Sequence, residues 1–530
     1  MGMRPGGYRI IVTPTKVSVI GQEDEGLRYA LERLAQMVFV KDGKLQLPTG
    51  LLLDEPVRDF RGVHLFVGPQ ANAFQKRLWE RVLFPLGFNK VVLQCERTDW
   101  ESLPGIKTDI TMDRDALARL FAMYRTMNVE PIPLIQSFGH MEWLFANGKN
   151  LDVAFNPEVL YAIDPRKPRT REILDALWGE AIALLKPDRI HFGLDEVDMR
   201  GFPDDPALVT QLWETHLPYL GGIARKYGKT MMLWGDQGLA PGEAIDATLG
   251  HDKTNAAKRR AAIPKKAEIT DWHYKADGKP SDYSPTLQLW KNEGLHPIAS
   301  TWFQLQNIRG FNLAADLENA GTLQTTWAGY ESNETNMLQN ISQFTAMVYA
   351  ADTAWSARQE TLDALPYRPA EVFQRMMYGT PQAVARIAGT TFGTGTPRVL
   401  DGMTFAVFAP IALGTGLDGK PRVSQANVVM NSTGSEVALL VDTELPVDNG
   451  TSVAEIVANF ADGKETRTTV RYCWDVRASD DPESTARTPR DGNVSVVRLS
   501  FGGTKKLLSL SLRPLSTTAG LRLHAVTLIP

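Results

Sequence analysis

Two adjacent carboxylates follow a short apolar run in the segment RIHFGLDEVDM, residues 189–199. Asp195 and Glu196 end a stretch whose composition is typical of a strand buried on both faces. Neighbouring carboxylates can divide acid and base chemistry between them, because burial raises the pKa of one while solvent keeps the other ionised. An isolated Asp-Glu pair is more often a solvated loop or a helix cap, so the surrounding elements decide whether these two acids form a site.

Eight short apolar runs, rich in Ile, Val, Leu, Thr or aromatic residues, alternate with helix-compatible segments in the middle of the chain. Alternating strands and helices predict a parallel sheet, and a count of eight predicts a closed (β/α)8 TIM barrel in the α/β class. The runs are residues 61–68, 89–96, 130–140, 188–196, 230–238, 267–275, 296–304 and 321–330. The helix-compatible segments include 114–128, 170–186 and 208–228, and the region 341–390 is expected to supply the closing helix and its extension.

The pattern of predicted strands and helices is different on either side of this barrel. Residues 1–57 predict a partial α/β domain, with strand, turn and helix in 8–39. Residues 58–390 are predicted to form the catalytic barrel. Residues 396–530 alternate strand-like runs with clusters of Gly, Asp, Asn and Pro, which predicts an antiparallel β-sandwich as an accessory domain.

Composition narrows the class of protein. The chain has 530 residues, 43% hydrophobic and 22% charged, which is typical of a soluble globular protein. A net charge of −4 without a long basic run does not indicate a nucleic-acid or membrane partner. Cys95 and Cys473 are the only cysteines, which excludes a disulfide framework. The first residues lack the apolar segment of a secretory signal, so a cytoplasmic protein is expected, or a secreted or periplasmic one if the N-terminus is incomplete.

The predicted strand ends carry side chains suited to a carbohydrate pocket. The carboxyl ends of barrel strands meet at one face, where tryptophans can cover the apolar faces of sugar rings and acids can transfer protons. No H-x-H or H-E-x-x-H spacing indicates a metal site, and no cofactor is predicted. The candidate residues are Asp195 and Glu196 after the fourth strand, Glu96 after the second, His140 after the third, Trp234 and Asp236 after the fifth, Trp272 and Tyr274 after the sixth, Trp302 after the seventh, and Trp327 and Glu331 after the eighth.

The adjacency of the two acids indicates a particular kind of reaction. Ordinary glycosidases hold their carboxylates about 5–10 Å apart, on either side of the scissile bond. Neighbouring residues in one turn do not comfortably straddle a sugar in this way. The alternative is a substrate-assisted route, in which the 2-acetamido carbonyl of the sugar is the nucleophile, one carboxylate orients the acetamido group and the other is the acid.

The segment HFGLDEV resembles the H-x-G-x-D-E signature of family 20 glycoside hydrolases, the β-N-acetylhexosaminidases. The resemblance covers roughly residues 8–390 and implies that Glu196 is the general acid/base and Asp195 the acetamido-orienting residue. It also implies that three tryptophans enclose the acetamido group and that His140 supports the acids. The other segments that carry it are GYRIIVTPTKVSVIGQEDEGLRYALERLAQM, FRGVHL, LGFNKVVLQCE, IPLIQSFGHMEWL, LWGDQ and TTWAGYE, and the three tryptophans are Trp234, Trp302 and Trp327.

The sugar-recognition half of the family pattern is missing. The family's first strand typically continues to D-x-x-R, whose arginine binds the 3- and 4-hydroxyls of the sugar. This chain has Phe66 in place of the aspartate and Pro69 in place of the arginine, and QCERTDW replaces the family's H-x-T-D after the second strand. The candidates for hydroxyl recognition are Glu96, Gln70, Asp236 and Glu331.

The sequence therefore predicts an exo-acting, retaining β-N-acetylhexosaminidase-like hydrolase that uses substrate-assisted catalysis on a terminal N-acetylhexosamine of a glycan or glycoconjugate. Three alternatives stay open: a glycan-binding barrel without turnover, a metal-dependent barrel hydrolase, and a hydrolase of a modified hexosaminide such as a sulfated one. The C-terminal sandwich is expected to be either structural or an accessory glycan-binding module. The sequence predicts no oligomeric state.

Overall fold

The computed structural model falls into two compact units. The first comprises Met1–Asn333 and Ala346–Leu365, and the second comprises Glu334–Thr345 and Pro366–Pro530. The predicted domain boundaries at residues 57, 390 and 396 stay predictions. The residues that the structure describes are 2–378 except 42, 198 and 199, then 390–392, 397–400, 403–406 and 411–414, and finally 424–529 except 480, 482–484, 486, 488–489, 492–493 and 517–518.

The N-terminal segment forms a small antiparallel sheet with one helix. Its strands are ordered β2-β1-β5. Tyr8, Ile10 and Val12 alternate on one face of the central strand and pack on Tyr29 and Ala30 of the helix, as expected for a half-buried sheet. The elements are β1 (Tyr8–Val12), β2 (Val17–Gly21), α1 (Asp24–Met37), β3 (Phe39–Lys41), β4 (Lys44–Gln46) and β5 (Gly50–Asp54).

Eight parallel strands then close a barrel, which confirms the predicted fold class. Each strand pairs with its neighbours along the chain, and the last pairs with the first. Trp234 and other inward-facing apolar side chains fill the interior, so the barrel is a packed core and not a pore. The barrel strands are β6 (Arg61–Phe66), β7 (Lys90–Gln94), β8 (Glu130–Leu134), β11 (Arg189–His191), β12 (Thr230–Trp234), β13 (Glu268–Trp272), β14 (His296–Thr301) and β15 (Gly321–Gln324), and a hairpin of β9 (Ala154–Asn156) and β10 (Val159–Ile163) follows β8.

Helices connect the barrel strands, and several begin at aspartate caps. The carboxylates of Asp113, Asp205 and Asp252 accept from the first backbone N–H groups of α3, α5 and α6, which satisfies donors that a helix leaves free. The helices are α2 (Ala71–Leu78), α3 (Arg114–Thr126), α4 (Pro168–Leu185), α5 (Pro206–Lys226), α6 (Lys253–Ala261), α7 (Pro280–Asn292), α8 (Leu305–Leu317), α9 (Glu334–Gln339), α10 (Ile341–Ser356) and α11 (Pro369–Tyr378). No helix among the described residues combines the length and the apolar character needed to cross a bilayer.

The region 341–390, which was expected to supply the closing helix and its extension, contains two α-helices among its described residues. A short 3₁₀-helix, Leu362–Ala364, lies between α10 and α11, and residues 379–389 are outside the described part. Pro366 and Pro369 disfavour helical conformation at the residues before them, which explains why α11 begins only at Pro369.

The C-terminal unit contains an antiparallel sheet ordered β16-β25-β20-β24-β21-β22. A hairpin of β17 and β18 packs on it through Phe405, which fits the predicted sandwich. β20 and β24 each span two of the predicted short strands. Bulges near Ser432 and Gly434 bend β20 without ending it. The strands are β16 (Thr390–Phe392), β17 (Pro397–Leu400), β18 (Met403–Ala406), β19 (Ile411–Leu413), β20 (Ala426–Thr443), β21 (Ser452–Phe460), β22 (Glu465–Arg471), β23 (Arg490–Asp491), β24 (Val494–Pro514) and β25 (Leu521–Ile529).

Candidate active site

The turn after β11 aims the two acids. Nδ1 of His191 accepts from the backbone N–H of Gly193 at 3.0 Å, and its Nε2 lies 2.8 Å from Oγ1 of Thr270. Burial lowers the pKa of His191 well below its ordinary value, so the ring is neutral and can accept at Nδ1. Gly193, Leu194 and Glu196 have positive φ values of 72°, 77° and 53°. This left-handed backbone is rare outside glycine and is typical of functional sites that the surrounding structure holds in place.

Gln136, just beyond β8, fastens this turn to the neighbouring strand. Its Oε1 accepts from the backbone N–H of Leu194 at 3.1 Å, and its Nε2 donates to Oδ1 of Asp195 at 2.7 Å. A Cβ atom added to Gly193 would lie 1.9 Å from that Oε1, which explains why glycine is needed at this position. Gln136 was not among the residues predicted from the sequence, although a polar residue just after an apolar strand was a usable signal.

Asp236 and Tyr161 hold the backbone of Glu196. Oδ2 of Asp236 accepts from the Glu196 N–H at 2.8 Å, and the Tyr161 hydroxyl donates to the Glu196 carbonyl at 2.7 Å. Oδ1 of Asp236 accepts from Nε1 of Trp272 at 3.1 Å. Asp236 is only 1% exposed, so this structure gives it a positioning role, and its predicted contact with substrate stays a prediction. Tyr161 was missed because it lies on the hairpin after β8 and not at a strand end.

His140 joins the two acids. Its Nε2 lies 3.5 Å from Oδ2 of Asp195 and 3.4 Å from Oε2 of Glu196. Burial alone would lower the pKa of His140, but the negative charges of Asp195 and Glu196 outweigh it and raise the pKa to about 9. At neutral pH the imidazole is therefore a cation between two carboxylates.

The two acids differ in environment, as a division of labour requires. The Asp195 side chain is 11% exposed and that of Glu196 is 31% exposed. Burial raises the pKa of Asp195, although His140 and Gln136 oppose it by stabilising the charged form. The hydrogen bond from His140 lowers the pKa of Glu196 and outweighs its partial burial. Asp195 is thus fixed and enclosed, while Glu196 is more open to solvent.

The predicted aromatic residues meet around Tyr274. Nε1 of Trp327 donates to its hydroxyl at 3.1 Å, and the rings of Trp272 and Trp302 lie 4.9 and 5.5 Å from its ring, centre to centre. Burial raises the pKa of Tyr274, so the hydroxyl stays protonated. The ring centres of Trp234 and Trp327 are 5.8 Å apart. Trp234 is 1% exposed, so it belongs to the barrel core and also supports Trp327.

A cavity of about 470 Å³ opens beside Asp195 and His140. This volume lies within the range of about 300–1,000 Å³ that is typical of small-molecule sites. Of the predicted residues, Glu96, His140, Asp195 and Trp327 line it. The other lining residues, which the sequence analysis did not propose as site residues, are Phe66, Gln94, Arg97, Gln136, Glu142, Trp143 and Tyr330.

The candidates for hydroxyl recognition differ in their exposure and in whether they line the cavity. Glu96 is 1% exposed and lines the cavity. Gln70 and Pro69 are exposed at the start of α2, and Glu331 is exposed while its neighbour Tyr330 lines the cavity. No three His, Cys, Asp or Glu side chains within the described ranges are grouped so that they could hold a metal ion.

Comparison with known proteins relates this arrangement to solved structures. No protein-family model and no curated protein matches the chain. The Streptomyces plicatus N-acetyl-β-hexosaminidase matches with a TM-score of 0.55 at 16% identity, covering 71% of this chain and 82% of that one. The Bacteroides fragilis β-N-acetylhexosaminidase matches with a TM-score of 0.53 at 15% identity, covering 68% and 79%.

The Flavobacterium johnsoniae chitobiase of family 20 matches with a TM-score of 0.52 at 16% identity and over 72% of this chain. The chain spans only 62% of the length of that chitobiase. At these identities the likeness concerns architecture, and the chain has the barrel fold of solved family 20 glycoside hydrolases.

Proposed function

We propose that the protein is an exo-acting, retaining β-N-acetylhexosaminidase-like glycoside hydrolase that uses substrate-assisted catalysis. The observation that carries the proposal is the arrangement of Asp195 and Glu196, adjacent in one turn and joined by a single nitrogen of His140 at 3.5 and 3.4 Å. Because the two residues are adjacent in one turn, we expect them to approach a bound sugar from one side instead of flanking it as an ordinary acid and nucleophile do. This geometry suits a reaction in which the substrate supplies the nucleophile.

Asp195 is suited to orient the acetamido group. Its Oδ1 accepts from Gln136, and its other oxygen, near His140, faces the side where the substrate would lie. A carboxylate there accepts the acetamido N–H and offsets the positive charge that develops as the acetamido oxygen attacks C1. Preorganisation by Gln136 means that little reorientation is needed in the transition state.

Glu196 is suited to move the proton. The hydrogen bond from His140 lowers the pKa of Glu196, so Glu196 must gain a proton before it acts as the acid. A sugar ring that covers Glu196 removes water from it and disfavours its charged form, and the His140 imidazolium is the adjacent proton source. Glu196 then protonates the leaving oxygen and later activates the water that opens the cyclic oxazolinium intermediate.

Two substrate comparisons test this reaction. Wild-type protein is expected to hydrolyse 4-nitrophenyl β-N-acetylglucosaminide and not the matching β-glucoside, which has no acetamido group. Replacing the N-acetyl group by N-trifluoroacetyl withdraws electrons from the carbonyl oxygen, so kcat should fall at least tenfold if that oxygen is the nucleophile. Equal turnover of glucoside and acetamido sugar would contradict the substrate-assisted route. No turnover of either would favour a modified hexosaminide or binding without chemistry.

A further inference from the structure

Three cavity-lining side chains keep a buried polar atom without a hydrogen-bond partner among the described residues. The atoms are Oε2 of Glu96, Nε of Arg97 and Nε1 of Trp143. Glu96 is 1% exposed and Trp143 is 2% exposed. Buried polar groups are nearly always hydrogen-bonded, and leaving one unpaired costs about 1–3 kcal/mol. Atoms of this kind around one cavity indicate that a ligand completes their bonds.

Tyr330 holds the two charged groups of this set in place. Its hydroxyl donates to Oε1 of Glu96, which also accepts from Nε2 of Gln94 at 2.8 Å. The guanidinium carbon of Arg97 lies 4.9 Å from the centre of the Tyr330 ring, in cation–π contact. Because Oε1 of Glu96 already has two donors, only its Oε2 remains for a ligand.

Phe66 explains how this wall forms where the first strand departs from the family pattern. Its ring packs edge-on against Tyr330, with centres 4.7 Å apart. A Cβ atom added to Gly68 would lie 1.8 Å from the carbonyl oxygen of Tyr330, so the two backbone segments are in close approach. The residue that replaces the expected aspartate thus supports Tyr330 and also lines the cavity.

The free atoms define the chemistry of their ligand. Burial raises the pKa of Glu96, although Tyr330 and Gln94 stabilise its charged form; when ionised it can only accept a hydrogen bond, whereas Arg97 and the indole of Trp143 can only donate. A hydroxyl group both donates and accepts, so two neighbouring hydroxyls satisfy the whole set. A sulfate ester has no donor for Glu96 and would place a second negative charge beside it. The set therefore fits neutral hydroxyls and disfavours an anionic substituent.

We propose that Glu96 and Arg97 form the subsite for the 3- and 4-hydroxyls of the terminal N-acetylhexosamine. This assignment rests on the proposed function for the orientation of the ring. With C1 at Glu196 and the acetamido group at Asp195, C4 is opposite C1, so its hydroxyl and the adjacent 3-hydroxyl point away from the acids. Glu96 and Arg97 follow β7, which is separated from the acid-bearing β11 by β8 in the barrel.

Binding measured without turnover tests this subsite. The full chain with Glu196→Gln is titrated calorimetrically with 4-nitrophenyl β-N-acetylglucosaminide and with its 3-deoxy, 4-deoxy and 6-O-sulfo analogues. Loss of a hydroxyl bound by a charged group should weaken binding about 10–100-fold. Adding Arg97→Met or Glu96→Gln should weaken binding of the parent sugar by a similar factor. In that double variant, at least one deoxy sugar should then bind no more weakly than the parent sugar. Arg119→Met, at an exposed arginine of α3, is the matched control and should change nothing.

The outcomes separate this inference from the proposed reaction. If Arg97→Met leaves the affinities and the deoxy penalties unchanged, or if the sulfated sugar binds more tightly in an Arg97-dependent way, the subsite assignment is wrong. If the deoxy penalties depend on Arg97 but wild-type protein hydrolyses no N-acetylhexosaminide, the subsite stands and the reaction does not. Should Arg97→Met fail to fold, Arg97→Lys keeps the charge but loses the planar donor fork, and an intermediate loss of affinity is expected.

Discussion

The two ends of the barrel use charged side chains differently. At the amino-terminal end, Arg189 donates to Glu130 at 2.7 and 2.8 Å and to Glu268 at 2.8 and 3.0 Å. At the carboxyl end, Glu96 and Arg97 have buried polar atoms with no partner among the described residues. The ion pairs of Arg189 lower the free energy of the folded state, whereas a buried polar atom without a partner raises it until a ligand completes its bonds. The comparison indicates that one end stabilises the barrel and the other is prepared for binding.

The largest expected effect is at the carboxyl end, with Glu196→Gln. General acid–base catalysis contributes about 10²–10⁴-fold, so kcat on 4-nitrophenyl β-N-acetylglucosaminide should fall at least 100-fold. The variant should stay folded, because the backbone contacts of Glu196 to Asp236 and Tyr161 do not involve its side chain, and only the side-chain contact with His140 should be lost. Glu214→Gln, at an exposed position of α5, is the matched control and should leave kcat unchanged.

An unchanged kcat in Glu196→Gln would remove Glu196 from the reaction. A large loss of stability would instead show that Glu196 stabilises the fold. That result would contradict the proposed difference between the two barrel ends.

A smaller effect on activity is expected from Gly193→Ala, which acts through packing. The new Cβ would lie 1.9 Å from Oε1 of Gln136 and displace the side chain that orients Asp195. We expect kcat/KM to fall at least tenfold. Gly228→Ala is the matched control, because Gly228 has a similar φ of 63° against 72° but nothing within 4 Å of the added atom.

Both alanine variants should lose about 1–2 kcal/mol of unfolding free energy to backbone strain, measured by urea denaturation. Only Gly193→Ala should also lose activity. Equal activity in the two variants would show that the position of Gln136 does not matter to the reaction.

The sequence allowed much of this fold to be predicted, because each barrel strand is a short apolar run bounded by polar residues. The acids and tryptophans could be placed at one face because parallel strands end there. Gln136 could not be assigned a role, since it contacts Asp195 across 59 residues of sequence. In the sequence, Arg97 could be noticed only within QCERTDW, the segment that replaces a family motif. Its role as a hydrogen-bond donor could be inferred only from the structure, where its buried Nε has no partner among the described residues.

At the amino-terminal end, Arg189→Met should lower stability and leave catalysis unchanged. The substitution removes the bonds from Arg189 to Glu130 and Glu268, whose side chains are 17% and 12% exposed, and leaves Glu130 paired with Lys90. The free energy of unfolding should fall by about 1–3 kcal/mol, with kcat and KM unaltered. Arg169→Met is the control, since Arg169 and Glu172 form a surface pair with side chains 55% and 64% exposed, for which about 0–1 kcal/mol is expected. A fall in kcat with Arg189→Met would mean that the two ends are coupled.

The smallest effect concerns the pH dependence of stability at the site itself. Burial disfavours the charged form of His140, but Asp195 and Glu196 outweigh this and raise its pKa from 6.5 to about 9. The stability that the imidazolium contributes is therefore fully present below about pH 6.5 and is lost as the pH rises through about 9. His140→Asn removes this contribution and suits the positive φ of 53° at that position.

Thermal midpoints of wild type and His140→Asn, compared from pH 7 to 9.5, should therefore differ most at pH 7 and converge towards pH 9.5. His273, whose pKa is also raised to about 9 by Asp271 and Asp246 against its burial, is present in both proteins and cancels in the difference. A difference that does not change with pH would mean that His140 is neutral in the folded protein. In that case the proton that Glu196 needs would have to come from solvent, and His140 would serve only to position the two acids.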